Sequence, residues 1–390
     1  MFFVHHSLYI KYTSGSDIAE QSNIFVETAI AYALQYVFSI RAQTKFNQPT
    51  ITILADNDYY SQQVTSKSGA TVSAASRFAT FDTPIWSANK TGLGSSAALV
   101  TALVGALLTF YLPAPQFSLE NAESKRSLHN LAQAAHCAAQ GKVGSGFDIA
   151  SAVSGSCVYR RFSPSLLKGL ADANTAAFPS RLRSVVEDTG MQNWDVEIEQ
   201  ARVSIPKGLR LVMCDVDCGS KTPGMVKQVL QWRKEKPKDA GRIWGELQKT
   251  NDDLAAELVR LARGEEPSDY DTLKQILAKN RKLVREMSKE SGVPIEPEAQ
   301  TKLLDACSEL EGVIGGVTPG AGGYDADVLL VKDDAEVMGR LEAMLKSYKF
   351  EVNGAKTTGS GRVGLLGVRE EMEGVRVESE DGYKGWIEAE

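Results

Sequence analysis

The chain has 390 residues, 43% of them hydrophobic and 24% charged, which is enough for two domains that each bury a core. Its formal net charge of −6 argues against a dedicated nucleic-acid binder, and no apolar run reaches membrane-span length with clean flanks. Five cysteines, odd in number and widely scattered, argue against a disulfide framework and fit a reducing, cytoplasmic setting.

Residues 1–22 read as irregular, and the first ten lack the basic stretch and small-residue cleavage site of a signal peptide. Apolar spacing predicts an amphipathic helix over 25–41, and Thr-Ile-Thr-Ile-Leu-Ala predicts a short strand over 50–55. Residues 61–79 are small and polar and read as loop. The helix from 95 to about 112 is apolar on all faces, hence buried, and Pro113 and Pro115 end it. A long helix follows over 119–140, with Gly141 at its C-terminal cap position. A short helix over 149–153 and strands over 157–162, 194–199 and 209–216 come next. From Thr222 the character changes to charged, periodic helices over 224–232, 243–262, 270–291 and 298–310. The basic run Arg233, Lys234, Lys236 and Lys238 reads as a solvated helix end, with contact to an anionic substrate as the alternative. A glycine-rich interruption over 317–326 leads to a strand over 327–331, a helix over 335–346 and a last strand near 349–352, before a polar tail over 357–390. The class is α+β, divided into 1–215 and 216–390.

Three segments carry chemistry. The first is Lys90-Thr91-Gly92-Leu93-Gly94-Ser95-Ser96-Ala97-Ala98, a glycine-rich loop that opens a helix. Such a helix end leaves backbone N–H groups outward and adds about half a positive charge, which together attract an anion, usually phosphate. Gly92 and Gly94 admit close backbone approach, Ser95 and Ser96 supply hydroxyls, and Lys90 adds a full charge. The same residues also make a plain capped helix start, and the spacing is not that of a Walker A loop. The second segment is Gly141-Lys142-Val143-Gly144-Ser145-Gly146-Phe147-Asp148. Its Asp148 reads either as a helix N-cap or as a carboxylate facing an attacking oxygen. The third, Gly320-Ala321-Gly322-Gly323, reads either as a tight turn or as backbone that approaches phosphate. Taken together they supply a held phosphate, neutralising charge and an acceptor-side carboxylate, which are the parts phosphoryl transfer needs. Cys214 and Cys218 read as buried thiols rather than a zinc pair, and His129 and His136, seven apart on one helix, as a packed or hydrogen-bonded face.

With these segments the chain resembles the GHMP kinase superfamily and, within it, the phosphomevalonate kinases of the fungal type. Residues 90–98 look like the family's second motif; 129–148 are similar to its acceptor segment; Pro319-Gly320-Ala321-Gly322-Gly323-Tyr324-Asp325 looks like its third motif. Tyr159-Arg160-Arg161-Phe162 and Ser288-Lys289-Glu290-Ser291-Gly292, with Ile295-Glu296-Pro297, match as well. The resemblance implies a ribosomal protein S5-like first domain and a ferredoxin-like second domain with helical insertions. It implies that ATP is held by Gly92, Leu93, Gly94, Ser95, Ser96 and Ala97, and that Ser95 and Ser96 ligate Mg²⁺. Lys90 and Asp148 are the implied catalytic residues. Lys142, Ser145, Gly146, Gly320, Ala321, Gly322 and Gly323 are the implied binders of (R)-5-phosphomevalonate. The implied protein is a cytoplasmic monomer or homodimer with a small-molecule substrate and no nucleic-acid or membrane partner.

Two departures stand out. The family's first motif, Pro-Gly-Lys followed by apolar residues and Gly-Gly-Tyr, is not found, and residues 1–21 do not match it, so the first domain is expected to be incomplete at its start. Where several related kinases carry a glutamate before the acceptor aspartate, this helix offers Gln133, His136 and Gln140. Mevalonate kinase, diphosphomevalonate decarboxylase and a catalytically impaired shortened variant remain the alternatives.

Overall fold

The computed structural model describes residues 2–4, 23–41, 49, 51–56, 59, 93–170, 173, 175–190, 193–202, 204–216, 222–264, 269–324, 326–349, 363–366, 370–379 and 383. The loop expected over 61–79 lies outside them, as do Lys90, Thr91, Gly92 and Cys218.

The first unit is a helical core. Helix α1 (Ile24–Ile40) starts where Asn23 accepts hydrogen bonds from the backbone of Phe25 and Val26, satisfying two end donors. It packs on α2 (Ser95–Tyr111), α3 (Ala122–Gln140) and α5 (Phe178–Val186), and α2 packs on α4 (Phe147–Ser154). Val26, Ala29, Ala33, Leu103, Leu107, Leu131, Ile149 and Leu182 bury in one cluster between them. Two small antiparallel pairs flank the helices. Strand β1 (Phe2–Val4) pairs with β2 (Ile51–Ile53), and β3 (Val158–Arg160) pairs with β4 (Glu197–Glu199). The irregular reading of 1–22 is thereby corrected at its start. Phe2-Phe3-Val4 is too short to show alternation, yet aromatic and β-branched residues suit a strand once a partner supplies the hydrogen bonds.

The second unit is built on strand order β6-β7-β5-β8, all neighbours antiparallel, from β5 (Leu209–Val216), β6 (Val313–Val317), β7 (Ala326–Lys332) and β8 (Val363–Leu366). Chain order is strand, helices, strand, strand, α10 (Ala335–Ser347), strand, which is the ferredoxin-like arrangement. Between β5 and β6 lie α6 (Thr222–Glu235), α7 (Pro237–Arg263), α8 (Asp271–Ser291) and α9 (Glu298–Ser308). Alternation along β5 sends Val212, Cys214 and Val216 to a cluster with Leu304 of α9 and Leu341 of α10. It sends Leu209 and Leu211 to the other face, with Leu273 and Leu277 of α8. Strand β5 pairs with β7 on one side and β8 on the other, and Leu211 N–H also donates to Glu370 Oε2 at 3.4 Å.

Two strands of this sheet escape the sequence reading, as β1 does in the first unit. Strand β6 carries paired glycines and a register shift between Val313 and Gly315, which breaks alternation. The last strand is Val363–Leu366; of the stretch expected near 349–352, Lys349 is not strand and the rest lies outside the described residues. Among the described residues no helix is long and apolar enough to cross a membrane.

Candidate functional site

Helix α2 begins without a side-chain cap. Gly94 stands at its N-cap in the left-handed region (φ +70°), and its carbonyl accepts from Ala97 N–H at 3.0 Å and Ala98 N–H at 3.2 Å. The first-turn amides ahead of those have no intrahelical acceptor, which makes this end a seat for an anion. Leu93, Ser95 and Ser96 are half-buried around it, and Ala97 is buried beneath. A Cβ on Gly94 would stand 3.3 Å from Cβ of Asp148. Asp148 is therefore packed directly against the first glycine loop.

The acceptor segment leaves α3 through Gly141, in the left-handed region at φ +65°, with Lys142 N–H bonded back to Cys137 O at 3.2 Å. Lys142 and Ser145 are exposed. Gly146, not Asp148, is the N-cap of α4, so the N-cap reading of Asp148 is set aside. Asp148 sits inside the first turn, half-buried, where the positive helix end favours a carboxylate, and its Oδ1 accepts from Ile149 N–H at 3.0 Å. Tyr159 of β3 donates to Ser145 O at 2.9 Å, and the Arg161 guanidinium to Val143 O at 3.0 Å, so the loop is held from both sides.

A buried polar line on α3 holds the same loop from below. Gln133 Nε2 donates to Gly146 O at 2.6 Å and meets His129 Nε2 at 3.2 Å. His129 Nδ1 meets Asn130 Oδ1 at 3.0 Å, and Asn130 Nδ2 donates to Val186 O at 3.0 Å. The set is self-consistent with a neutral His129 protonated on Nδ1. Burial pushes its pKa down to about 4, against a smaller opposing effect of Asn130. One turn on, His136 Nε2 lies 3.0 Å from Ser96 Oγ and 3.2 Å from Gln140 Nε2. Burial lowers the pKa of His136, and the nearby charge of Asp148 opposes that. Thus α2, α3 and α4 converge on one place through Ser96, His136 and Asp148.

The third glycine segment is anchored in the second unit. Gly323 N–H donates to Ile295 O at 2.9 Å and Gly322 N–H to Pro319 O at 3.1 Å. Next to Ile295, buried Glu296 takes Arg281 at 2.8 Å, Arg285 at 3.0 Å and the Thr301 hydroxyl at 3.0 Å. These bonds fix the segment to the Ile295-Glu296-Pro297 turn, and among the described residues its backbone bonds do not run to 93–97 or 144–148. The structure thus brings the first two segments together and leaves the third on its own support.

The donor set fits a nucleotide with a hard cation. Oxygen donors at the loop are the Asp148 carboxylate and the Ser95 and Ser96 hydroxyls. No group of three His, Cys, Asp or Glu residues that could hold a metal ion occurs among the described residues. One carboxylate and hydroxyls, completed by substrate phosphate and water, is a usual way to hold Mg²⁺. The hydrogen-bonded or packed face expected of His129 and His136 is what the structure holds, and sequence reasoning left Gln133, Gln140 and Tyr159 without a role. The signal for the two glutamines was present: His129, Gln133, His136 and Gln140 recur at spacings of four, three and four along one helix face.

Residues 62–156 match the family model for the GHMP kinases N terminal domain. The chain is 48% identical over 369 residues to phosphomevalonate kinase erg8 of Aspergillus fumigatus, covering 94% of this chain and 75% of the relative. It is 51% identical over 368 residues to phosphomevalonate kinase ERG8 of Gibberella zeae, covering 94% and 78%. Among solved structures, the Lin0012 protein of Listeria innocua superposes with a TM-score of 0.55 at 21% identity, covering 85% of this chain and 77% of that one, a likeness of fold.

Proposed function

The chain belongs to the phosphomevalonate kinases of the GHMP kinase superfamily, and from that premise we propose how its residues transfer the γ-phosphoryl group of ATP to (R)-5-phosphomevalonate, giving 5-diphosphomevalonate and ADP. The observation that carries the proposal is the packing of Asp148 on Gly94, which sets the acceptor side against the phosphate seat. The amides at the start of α2 cradle the nucleotide phosphates, and Lys90, ahead of the described loop, neutralises the transferring group. Mg²⁺, when bound, offsets charge on the nucleotide phosphates, and Asp148 with the serine hydroxyls would hold it.

The acceptor is itself a phosphate and is ionised near neutral pH. Little general-base help is needed, so Asp148 orients the acceptor oxygen rather than removing a proton from it. Lys142, Ser145 and Gly146 line the acceptor side, and 320–323 closes over the bound substrates from the second unit. Catalysis in this scheme is mainly positioning and charge stabilisation.

A coupled ADP-release assay with mevalonate, 5-phosphomevalonate and 5-diphosphomevalonate tests the reading. ADP release with 5-phosphomevalonate alone, and a diphosphate product by mass, is the expected result. Release with mevalonate would reassign the chain to mevalonate kinase activity, phosphate and carbon dioxide release from the diphosphate to decarboxylation, and no turnover to an impaired variant.

A further inference from the structure

We propose that His136 is a positioning residue that accepts the hydrogen bond of the Ser96 hydroxyl, so that of the two serines placed at the metal above only Ser96 presents oxygen lone pairs to it, while Ser95 donates to phosphate. The inference rests on the reading that the loop at 93–97 holds ATP.

The argument is one of proton counting. His136 Nε2 is shared by Gln140 Nε2 at 3.2 Å and Ser96 Oγ at 3.0 Å. An amide nitrogen has only protons to give, so His136 Nε2 is an acceptor and carries no proton of its own. The proton between it and Ser96 must then come from the serine. A hydroxyl whose proton points inward has only lone pairs left to present outward. Those suit a hard cation and not a phosphate oxygen, which is itself an acceptor. Among the described residues none accepts from Ser95, whose hydroxyl proton is left for a phosphate oxygen.

The imidazole is held in this orientation. It is 3% exposed and lies against the Phe25 ring, with centroids 5.5 Å apart and planes at 34°. Its position also explains why the α3 face needs an acceptor there. With Gln133, His136 and Gln140 facing the site, that helix contributes no carboxylate, and the protein's direct ligands reduce to Asp148 and Ser96. A serine hydroxyl free to rotate would spend part of its time with a proton toward the cation. His136 removes that option, as supporting residues behind metal ligands commonly do.

The test is calorimetry on the full chain without acceptor, so that nothing turns over, comparing ATP with Mg²⁺ and ATP with EDTA. His136→Phe keeps the ring and its contact with Phe25 but removes the acceptor. It is expected to weaken Mg-ATP binding about tenfold, the worth of one buried hydrogen bond, and to leave metal-free ATP binding unchanged. His136→Gln, whose amide oxygen reaches the place of Nε2, should restore most of the loss. Ser96→Ala should lose the same metal-dependent increment, and adding His136→Phe to it should cost nothing more, whereas Ser95→Ala should weaken both forms alike. Equal weakening of both nucleotide forms in His136→Phe, or no weakening of either, would overturn the proposal. Should His136→Phe fail to fold, the Ser95 and Ser96 variants decide it, with the reversed pattern as the contrary result. A wild-type chain that binds ATP in neither form would instead overturn the reading of the loop itself.

Discussion

At the scale of single residues, two glycines of the site share a backbone conformation and differ in what stands beside them. Gly94 and Gly141 both sit near φ +65° to +70°, so alanine at either place strains the backbone by about 1–2 kcal/mol. They differ in surroundings: a Cβ at Gly141 meets nothing within 4 Å, while one at Gly94 meets Asp148 Cβ at 3.3 Å. Gly141→Ala should therefore lower thermal stability and leave kcat near wild type. Gly94→Ala should lower stability similarly and cut kcat by roughly ten- to a hundredfold, because it displaces the carboxylate that aligns the acceptor. Equal kcat in the two variants would remove Asp148 from the proposed alignment. Lys90, whose role is read from the sequence, has its own test. Lys90→Met keeps the length of the stem and loses the charge, so turnover should fall by at least about a hundredfold with the melting temperature unchanged.

At the scale of elements, α3 does two jobs with two faces, both buried. Its apolar residues Leu128, Leu131 and Ala135 enter the first core, and its polar line His129, Gln133 and Asn130 ties α5 to the α4 loop. The helix and its end at Gly141 were legible from periodicity and capping chemistry, while its start, read at 119, lies at Ala122 behind the N-cap Asn121. What the line grips was not legible, because Gly146 and Val186 approach it only through tertiary packing. The same holds for β1 and β6: three residues, or a strand with two glycines, carry too little pattern until a partner strand defines them. A pH dependence follows from the line. His129 is buried neutral with its pKa lowered to about 4, against about 6.5 unfolded, so the unfolded chain binds the extra proton between those values. Stability from this group is complete above about pH 6.5 and declines as pH falls toward 4, by about 3 kcal/mol in full. Asp327, raised to about 7 by burial, acts in the opposite direction. The clean measurement is the difference between wild type and His129→Gln in urea midpoint from pH 7 to pH 4.5. Wild type should lose more stability on acidification, by the equivalent of one proton; parallel curves would mean that His129 is not held neutral.

At the scale of the molecule, the two units are joined by a segment from far along the chain. Residues 370–379 follow the last strand of the second sheet and return to the first unit. Ser156 N–H donates to Glu371 O at 2.6 Å and Val375 N–H to Val153 O at 3.3 Å. Gln200 Nε2 donates to Met372 O at 3.2 Å, and Val375 packs against the first core beside Gly105. The polar tail expected from composition hides this, since its contribution is mostly backbone hydrogen bonds and one valine. The contact is close at Gly374, at φ +66°, where a Cβ would stand 2.4 Å from Val153 O. That neighbour is backbone at the end of α4, the helix that carries Asp148, and it has no rotamer by which to move aside. Gly374→Ala should therefore expel the segment as well as strain it, costing about 2 kcal/mol or more. The expected readouts are a lower melting temperature, new proteolytic cleavage within 370–379 and a kcat reduced through α4. Gly339→Ala, in α10 with nothing within 4 Å of the added carbon, is the control and should be neutral or slightly stabilising. A Gly374→Ala chain that resists protease and melts like wild type would show that the returning segment does not hold the two units together.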